Sequence, residues 1–289
     1  MPINWYPGHM AKTVRQLSER VSQVDAVLEL VDARLPLGSR NPDVAHVFNK
    51  KPLILVLNKC DLADPAVTEK WVDYFTYNNI KAVKVCSVSG AGFSELKSVI
   101  RQAARERLRL NEKRGMYGRP VRLIAVGIPN VGKSILINKF VGKKSAAVEN
   151  HPGVTKNIQW LSSKDGAFSL VDTPGILWPK FDDQIIAEKL AFLGTIKDDI
   201  VDFEDLAVKL CEFLLDRYPE ITSERYGVSC AGIVEGCPKD KRAYTLLCEI
   251  ARNRCFLARG NQLDLSKTAA VVINEFRSCK IGRISLEVP

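Results

Sequence analysis

Gly127-Ile128-Pro129-Asn130-Val131-Gly132-Lys133-Ser134 sits between an apolar run, Val121 to Val126, and a helix-like segment, Ile135 to Val141. The spacing Gly-x4-Gly-Lys-Ser is that of a phosphate-binding loop. Its glycines let the backbone curl so that successive N–H groups point inward at phosphate oxygens. The positive N-terminal end of the following helix adds to the attraction. Lys133 is placed to reach the β- and γ-phosphates, and the Ser134 hydroxyl to ligate Mg²⁺. Val131, Gly132 and Ile135 complete the cradle. The pattern alone can arise by chance, but a strand before it and a helix after it are the context that confirms it.

Downstream, Phe168 to Val171 reads as a strand running into Asp172-Thr173-Pro174-Gly175. An Asp there can hold Mg²⁺ through a water, and the Gly175 N–H can meet the γ-phosphate. Thr155, in Pro152-Gly153-Val154-Thr155, falls between the two motifs where a switch loop belongs. A threonine there completes the Mg²⁺ shell when the γ-phosphate is present; by itself it is a solvated loop residue.

Upstream, Pro52 to Leu57 reads as a buried strand and leads directly into Asn58-Lys59-Cys60-Asp61. The Asp61 carboxylate can accept two hydrogen bonds from guanine N1 and N2. Adenine lacks that donor pair, so the motif selects GTP over ATP, and an unpaired buried polar site discriminates strongly. Asn58 and Lys59 flank the base in the same motif. Ser87 and Val88, after the strand-like Ile80 to Ser87, are placed to supply backbone and hydroxyl contacts to the base edge. An ATPase reading leaves Asp61 without a use.

Val24 to Ala33 is a further strand, and helix-like stretches run over Thr68 to Tyr77 and Phe93 to Leu110. Short apolar strands alternating with helices indicate an α/β fold with a parallel sheet. After about residue 179 apolar residues recur at helical spacing, as in Leu206, Leu210, Phe213 and Leu214, with further helices around Tyr244 to Ala258 and Lys267 to Arg277. The expected division is 1–178 for nucleotide binding and 179–289 for a smaller all-helical domain. The guanine motif precedes the phosphate loop, the reverse of most GTPases. A circular permutation explains this, because domain termini often lie close enough to be joined while the chain is cut elsewhere.

The formal charge of +9 favours an anionic partner, nucleic acid first, or else a solvated basic surface. The run Arg101, Arg105, Arg107, Arg109, Lys113, Arg114, Arg119 and Arg122 reads as a solvated helix face and linker, or as an RNA site. The eight cysteines show no common zinc spacing, so free thiols in a reducing cytosol are the simpler reading. No apolar run approaches the roughly 20 residues that span a bilayer. The start, Met1-Pro2-Ile3-Asn4-Trp5, reads as neither a signal nor a transit peptide, and the expected location is cytoplasmic.

In the order of these motifs, in the opening Trp5-Tyr6-Pro7-Gly8-His9-Met10, in Val31-Asp32-Ala33-Arg34 with Pro36, and in the tail Gly282-Arg283-Ile284-Ser285-Leu286-Glu287, the sequence resembles the circularly permuted GTPases of the YlqF/RbgA type, the ribosome biogenesis GTPase A family. The resemblance covers nearly the whole chain. It implies GTP hydrolysis during late assembly of the large ribosomal subunit by a monomer, with a helical C-terminal domain contacting rRNA. That domain carries Lys239, Lys241, Arg242, Arg252, Arg254, Arg259, Lys267, Arg277, Lys280 and Arg283. Two positions depart from the family: Val88 stands for the usual Ala, and Cys279 for a frequent Gly.

Ras-like GTPases place a water-orienting Gln after the Gly of the second metal motif, where this chain has Ile176. The intrinsic rate is therefore expected to be low, with activation supplied by ribosomal particles. The resemblance points to His9 as the in-chain residue that orients water, the alternative being that it only starts the first helix. Asn130 resembles the asparagine that holds K⁺ in related GTPases, or is a loop Asn in a left-handed conformation. Two alternatives remain: a permuted GTPase acting on the small subunit or another ribonucleoprotein, and a nucleotide-gated RNA-binding scaffold whose hydrolysis is incidental.

Overall fold

The computed structural model describes residues 21–48, 50–142, 160–173, 183–196, 198 and 201–289. His9, Thr155, Gly175 and Ile176, together with the opening 5–10, lie outside the described residues. In chain order the described elements begin with β1 (Ala26–Asp32), α1 (Pro42–Val47), β2 (Leu53–Asn58), α2 (Pro65–Tyr77), β3 (Lys81–Val85) and α3 (Phe93–Lys113). They continue with β4 (Val121–Gly127), α4 (Lys133–Val141), β5 (Trp160–Ser162) and β6 (Phe168–Asp172). Helices α5 (Gln184–Phe192), α6 (Phe203–Arg217), α7 (Pro219–Tyr226), α8 (Cys230–Gly236), α9 (Lys239–Asn253) and α10 (Leu265–Arg277) follow. Among the described residues no helix is long and apolar enough to cross a membrane.

The six strands form one sheet in the order β3-β2-β1-β4-β6-β5. All neighbours are parallel except the β5–β6 edge, which is antiparallel. β1 lies in the centre with all seven residues buried, the behaviour of an apolar strand covered on both faces. From β1 the chain moves outward through β2 to β3. After β4, the other neighbour of β1, it crosses the opposite way to the edge strand β5 and returns to β6 beside β4. The order thus reverses between β1 and β4, and the crevice beyond the carboxyl ends of such a strand pair is where open α/β sheets bind ligands. Gly127 closes β4 at that crevice, and its residue is fixed by crowding: a Cβ there would lie 2.5 Å from the Leu30 carbonyl oxygen of β1.

At the same end of β1, Asp32 accepts hydrogen bonds from Arg34 Nε and Nη2, both at 2.9 Å. Lys59 Nζ lies 3.1 Å from the same carboxylate. Burial alone would raise the Asp32 pKa; Arg34, Lys59 and the hydrogen bonds from Arg34 outweigh it and hold the carboxyl well below the usual carboxylate range. The Asp32 N–H donates to Ser39 Oγ at 3.0 Å, so the loop after β1 is folded back on the strand end.

The chain divides into two compact units, Pro2–Asp183 with Ser285–Pro289, and Gln184–Ile284. The tail, expected to lie with the helical domain, belongs instead with the sheet, for reasons of contact given below. In the helical unit Phe192 and Phe276 meet edge to face. Arg277 donates to the carbonyls of Phe192 (3.0 Å) and Ala191 (2.8 Å) and forks onto Asp198. Helix α10 ends in a reciprocal C-terminal cap: Lys280 N donates to Glu275 O at 2.8 Å and Cys279 N to Phe276 O at 3.1 Å. Cys279 holds the left-handed position of that cap at φ 60°, which explains why glycine suits it.

Two outcomes follow from these contacts. Asp32 stabilises the fold above its unfolded pKa of about 3.9, and that share is lost as pH falls from there through the lower folded value. Denaturant titrations from pH 7 to pH 3 should therefore show a fall for the native chain. Asp32→Asn should flatten that fall while lowering stability at pH 7 by about 3 kcal/mol, because Arg34 stays buried without its counter-charge. Replacing Cys279 by glycine should raise stability by about 0.5–1 kcal/mol, and by valine lower it, in the same assay.

Candidate functional site

The phosphate loop leaves β4 at Gly127 and reaches α4 through two left-handed turns, Asn130 at φ 58° and Gly132 at φ 94°. Gly132 caps α4 in the left-handed conformation and makes no side-chain cap hydrogen bond. That is the arrangement a phosphate fills. Lys133 opens the helix, and its buried side chain curls back over the loop to put Nζ 3.4 Å from Gly127 O and 3.5 Å from Ile128 O. Ser134 and Ile135 follow, both half-buried, while Val131 is buried beneath the loop.

Asn58 ends β2 on the same side of the sheet. Its Nδ2 donates to Val131 O at 2.7 Å, and its Oδ1 accepts from Ser87 Oγ at 2.6 Å and Ser87 N at 3.2 Å. Turning the amide over would set two donors and two acceptors face to face, so the network fixes its orientation. One buried amide thereby ties three loops together: the phosphate loop, the Asn58–Asp61 motif and the turn after β3. Space is tight, and a Cβ at Gly132 would come within 2.5 Å of Asn58 Nδ2. Sequence reasoning counts Asn58 as a nucleotide contact; its amide also engages protein at both ends and so sets the loops on either side of it.

Lys59 is in the left-handed region at φ 59°, and its ammonium reaches Asp32. Burial lowers the Lys59 pKa, and the Asp32 and Asp61 charges oppose that effect. Leu62 N donates to Lys59 O at 2.9 Å, forming the turn that carries half-buried Asp61. Beyond β3, Ser87 is buried and Val88 is 74% exposed. Gly92 closes this turn because a Cβ would sit 2.1 Å from Lys84 O.

On the other flank Asp172 ends β6 in register with Ala125 of β4. The buried Thr173 hydroxyl donates to Ala125 O at 2.7 Å, pinning the start of the second metal motif beside the phosphate loop. The structure therefore gathers Asn58, Lys59, Asp61, Ser87, Val88, Asn130, Val131, Gly132, Lys133, Ser134 and Ile135 at the carboxyl ends of β2, β3 and β4, with the Asp172 backbone on the neighbouring strand. Sequence reasoning did not place Asp32, Arg34 and Ser39 in the network that holds Lys59. A buried Asp-x-Arg at a strand end is the signal that marks them.

The basic run 101–122 is also clarified. Arg107 and Arg119 face the buried Asp25 at 3.7 and 3.6 Å, Arg101 lies over Phe168, and Arg122 lies over Trp160. Those four cations serve the domain's own packing.

Residues 122–226 match the model of the 50S ribosome-binding GTPase family. The ribosome biogenesis GTPase A of Bacillus cereus is 41% identical over 290 aligned residues, covering 100% of this chain and 95% of that protein. Its counterpart in Thermotoga maritima is 31% identical, covering 99% and 95%. Among solved structures, GNP-bound YlqF from T. maritima superposes with a TM-score of 0.63 at 26% identity, covering 96% of this chain and 98% of that one; a GDP-bound structure of YlqF gives 0.61. A whole-chain likeness of this degree, together with a phosphate loop, a guanine motif and a permuted strand order on one sheet, shows that the chain belongs to the ribosome biogenesis GTPase A family and is a guanine-nucleotide-binding GTPase.

Proposed function

We propose that this GTPase acts as a cytoplasmic monomer on the precursor of the large ribosomal subunit, binds it through rRNA contacts of its helical unit, Gln184–Ile284, and couples GTP binding and hydrolysis to late assembly. The observation that carries this reading is that the alignment to a ribosome biogenesis GTPase A, 41% identical overall, covers the whole chain, the helical unit included. The matched family description, a 50S ribosome-binding GTPase, favours the large subunit over the small. The cations available for RNA are fewer than the sequence count suggests. Arg277 is committed to Asp198, Arg252 to Glu249, and Arg254 to Arg225 O and the Tyr226 ring. Lys239, Lys241, Arg259 and Lys280 are exposed, and a phosphate-driven, salt-sensitive contact starts from these.

Within the site, the residues proposed to hold Mg²⁺ are Ser134, Thr155 and Asp172, with Gly175 meeting the γ-phosphate. The ion supplies charge neutralisation on the β- and γ-phosphates when bound. The donor set fits a hard cation, since all three side chains offer oxygen. Lys133, curled over the loop, places a fixed positive charge where phosphate charge develops. Asn130, turned left-handed at the loop's crest, is proposed to hold K⁺. His9 orients the attacking water as a neutral imidazole, in place of the glutamine that Ile176 replaces.

GTP turnover in KCl, with and without purified large or small ribosomal subunits, tests the reading. Large subunits should stimulate turnover more than about tenfold, and His9→Ala should remove about 100-fold of the stimulated rate with GTP affinity unchanged. Stimulation by small subunits alone, or by neither particle, contradicts the proposal, the latter in favour of a nucleotide-gated scaffold.

A further inference from the structure

The last residues of the chain, Ser285–Pro289, lie against the loops that carry the guanine motif. Leu286 is buried, and its N–H donates to Arg34 O at 2.7 Å. The Glu287 carboxylate accepts from the Leu37 N–H and from Gly38 N at 3.1 Å, and the Glu287 carbonyl accepts from Trp71 Nε1 at 3.2 Å. The buried Ser285 Oγ accepts from Asp64 N at 3.2 Å. The approach is close, since a Cβ at Gly38 would stand 3.4 Å from Glu287 Oε2.

These contacts have one feature in common. Arg34, Leu37 and Gly38 belong to the loop after β1, while Asp64 caps α2 directly after the Asn58–Asp61 motif. The tail thus bridges the loops at the carboxyl ends of β1 and β2. The β1 loop is itself wired to the motif: Ser39 Oγ accepts from Asp32 N, and the Asp32 carboxylate holds the Lys59 ammonium. On the far side of the motif, Asp64 Oδ1 accepts from Ala66 N at 2.8 Å and Val67 N at 3.2 Å, fixing the point where the Asp61 turn enters the helix. Asp61 is therefore bracketed by two supports, and both touch the tail.

We propose that Glu287, with Ser285 and Leu286, is a positioning element for guanine recognition: the C-terminal tail holds the loop that presents Asp61, and so sets how strongly the site prefers guanine. This rests on the reading of Asp61 as the guanine acceptor. A carboxylate that accepts from two adjacent backbone N–H groups immobilises that loop, and mispositioning a hydrogen-bonding group in a buried site costs discrimination more than general affinity.

The test compares GDP and IDP affinity in the full-length chain. IDP lacks the exocyclic amine, so the GDP-to-IDP ratio isolates the second Asp61 bond. Glu287→Ala should weaken GDP about tenfold and IDP about twofold, reducing the ratio about fivefold. Glu287→Gln, which keeps the acceptor oxygen, should restore most of it. Trp71 emission should shift in the Ala variant and not in the Gln variant. If the alanine variant is too unstable to purify, Ser285→Ala supplies the same ratio test from the opposite support. Equal loss for both nucleotides, or no loss, overturns the role of the tail. Asp61→Asn is the control for the underlying reading and should shift preference from GDP to XDP. If it does not, the Asp61 assignment fails; if it does while Glu287→Ala keeps the native ratio, only the tail proposal fails.

Discussion

The hydrogen-bonding capacity of one buried amide organises the nucleotide site. Asn58, at the end of β2, offers a donor to Val131 O and an acceptor to the Ser87 N–H and hydroxyl, and those partners belong to the loops following β4 and β3. Without it, a buried carbonyl and a buried N–H would each lack a partner, at about 1–3 kcal/mol apiece. The loops would also lose the common reference that sets the distance from the phosphate end of the crevice to its base end. A bound nucleotide spans both ends, so the spacing of the loops bears on its base and phosphate contacts together.

The sheet makes that tie possible. Reversal of strand order between β1 and β4 opens the crevice, and parallel pairing delivers every strand to the same edge. Permutation changes which loop comes first along the chain without changing which strands are neighbours. The phosphate loop and the guanine motif therefore meet although their sequence order is reversed. A second layer of charges, Asp32 with Arg34 and Lys59, stiffens the base end.

Much of this was legible in the sequence because it is local. Gly127 to Ser134 and Asn58 to Asp61 are contiguous, and each follows a continuous apolar strand. What escaped is what depends on distant partners. Nothing local to Glu287 shows that it meets the backbone of Leu37 and Gly38, or that Ser285 meets Asp64. Two short helices, α7 and α8, form in the stretch 218–237 despite Pro219, Gly227, Gly232 and Gly236. Pro219 suits the first turn of α7, and Ser229 caps α8 by accepting from Gly232 N. Charge counting does not show pairing: Arg107, Arg119 and Arg277 are basic in composition, and each faces an acid within its own unit.

The most direct measurement is calorimetric GDP binding to Asn58→Ala beside the native chain, with the folded fraction of each fixed by circular dichroism. If one amide aligns the loops, the folded variant should bind GDP about 100-fold more weakly, the equivalent of about 3 kcal/mol. Affinity within about twofold of native in a folded variant would show that the loops find their places without it, and would contradict the central role given to Asn58.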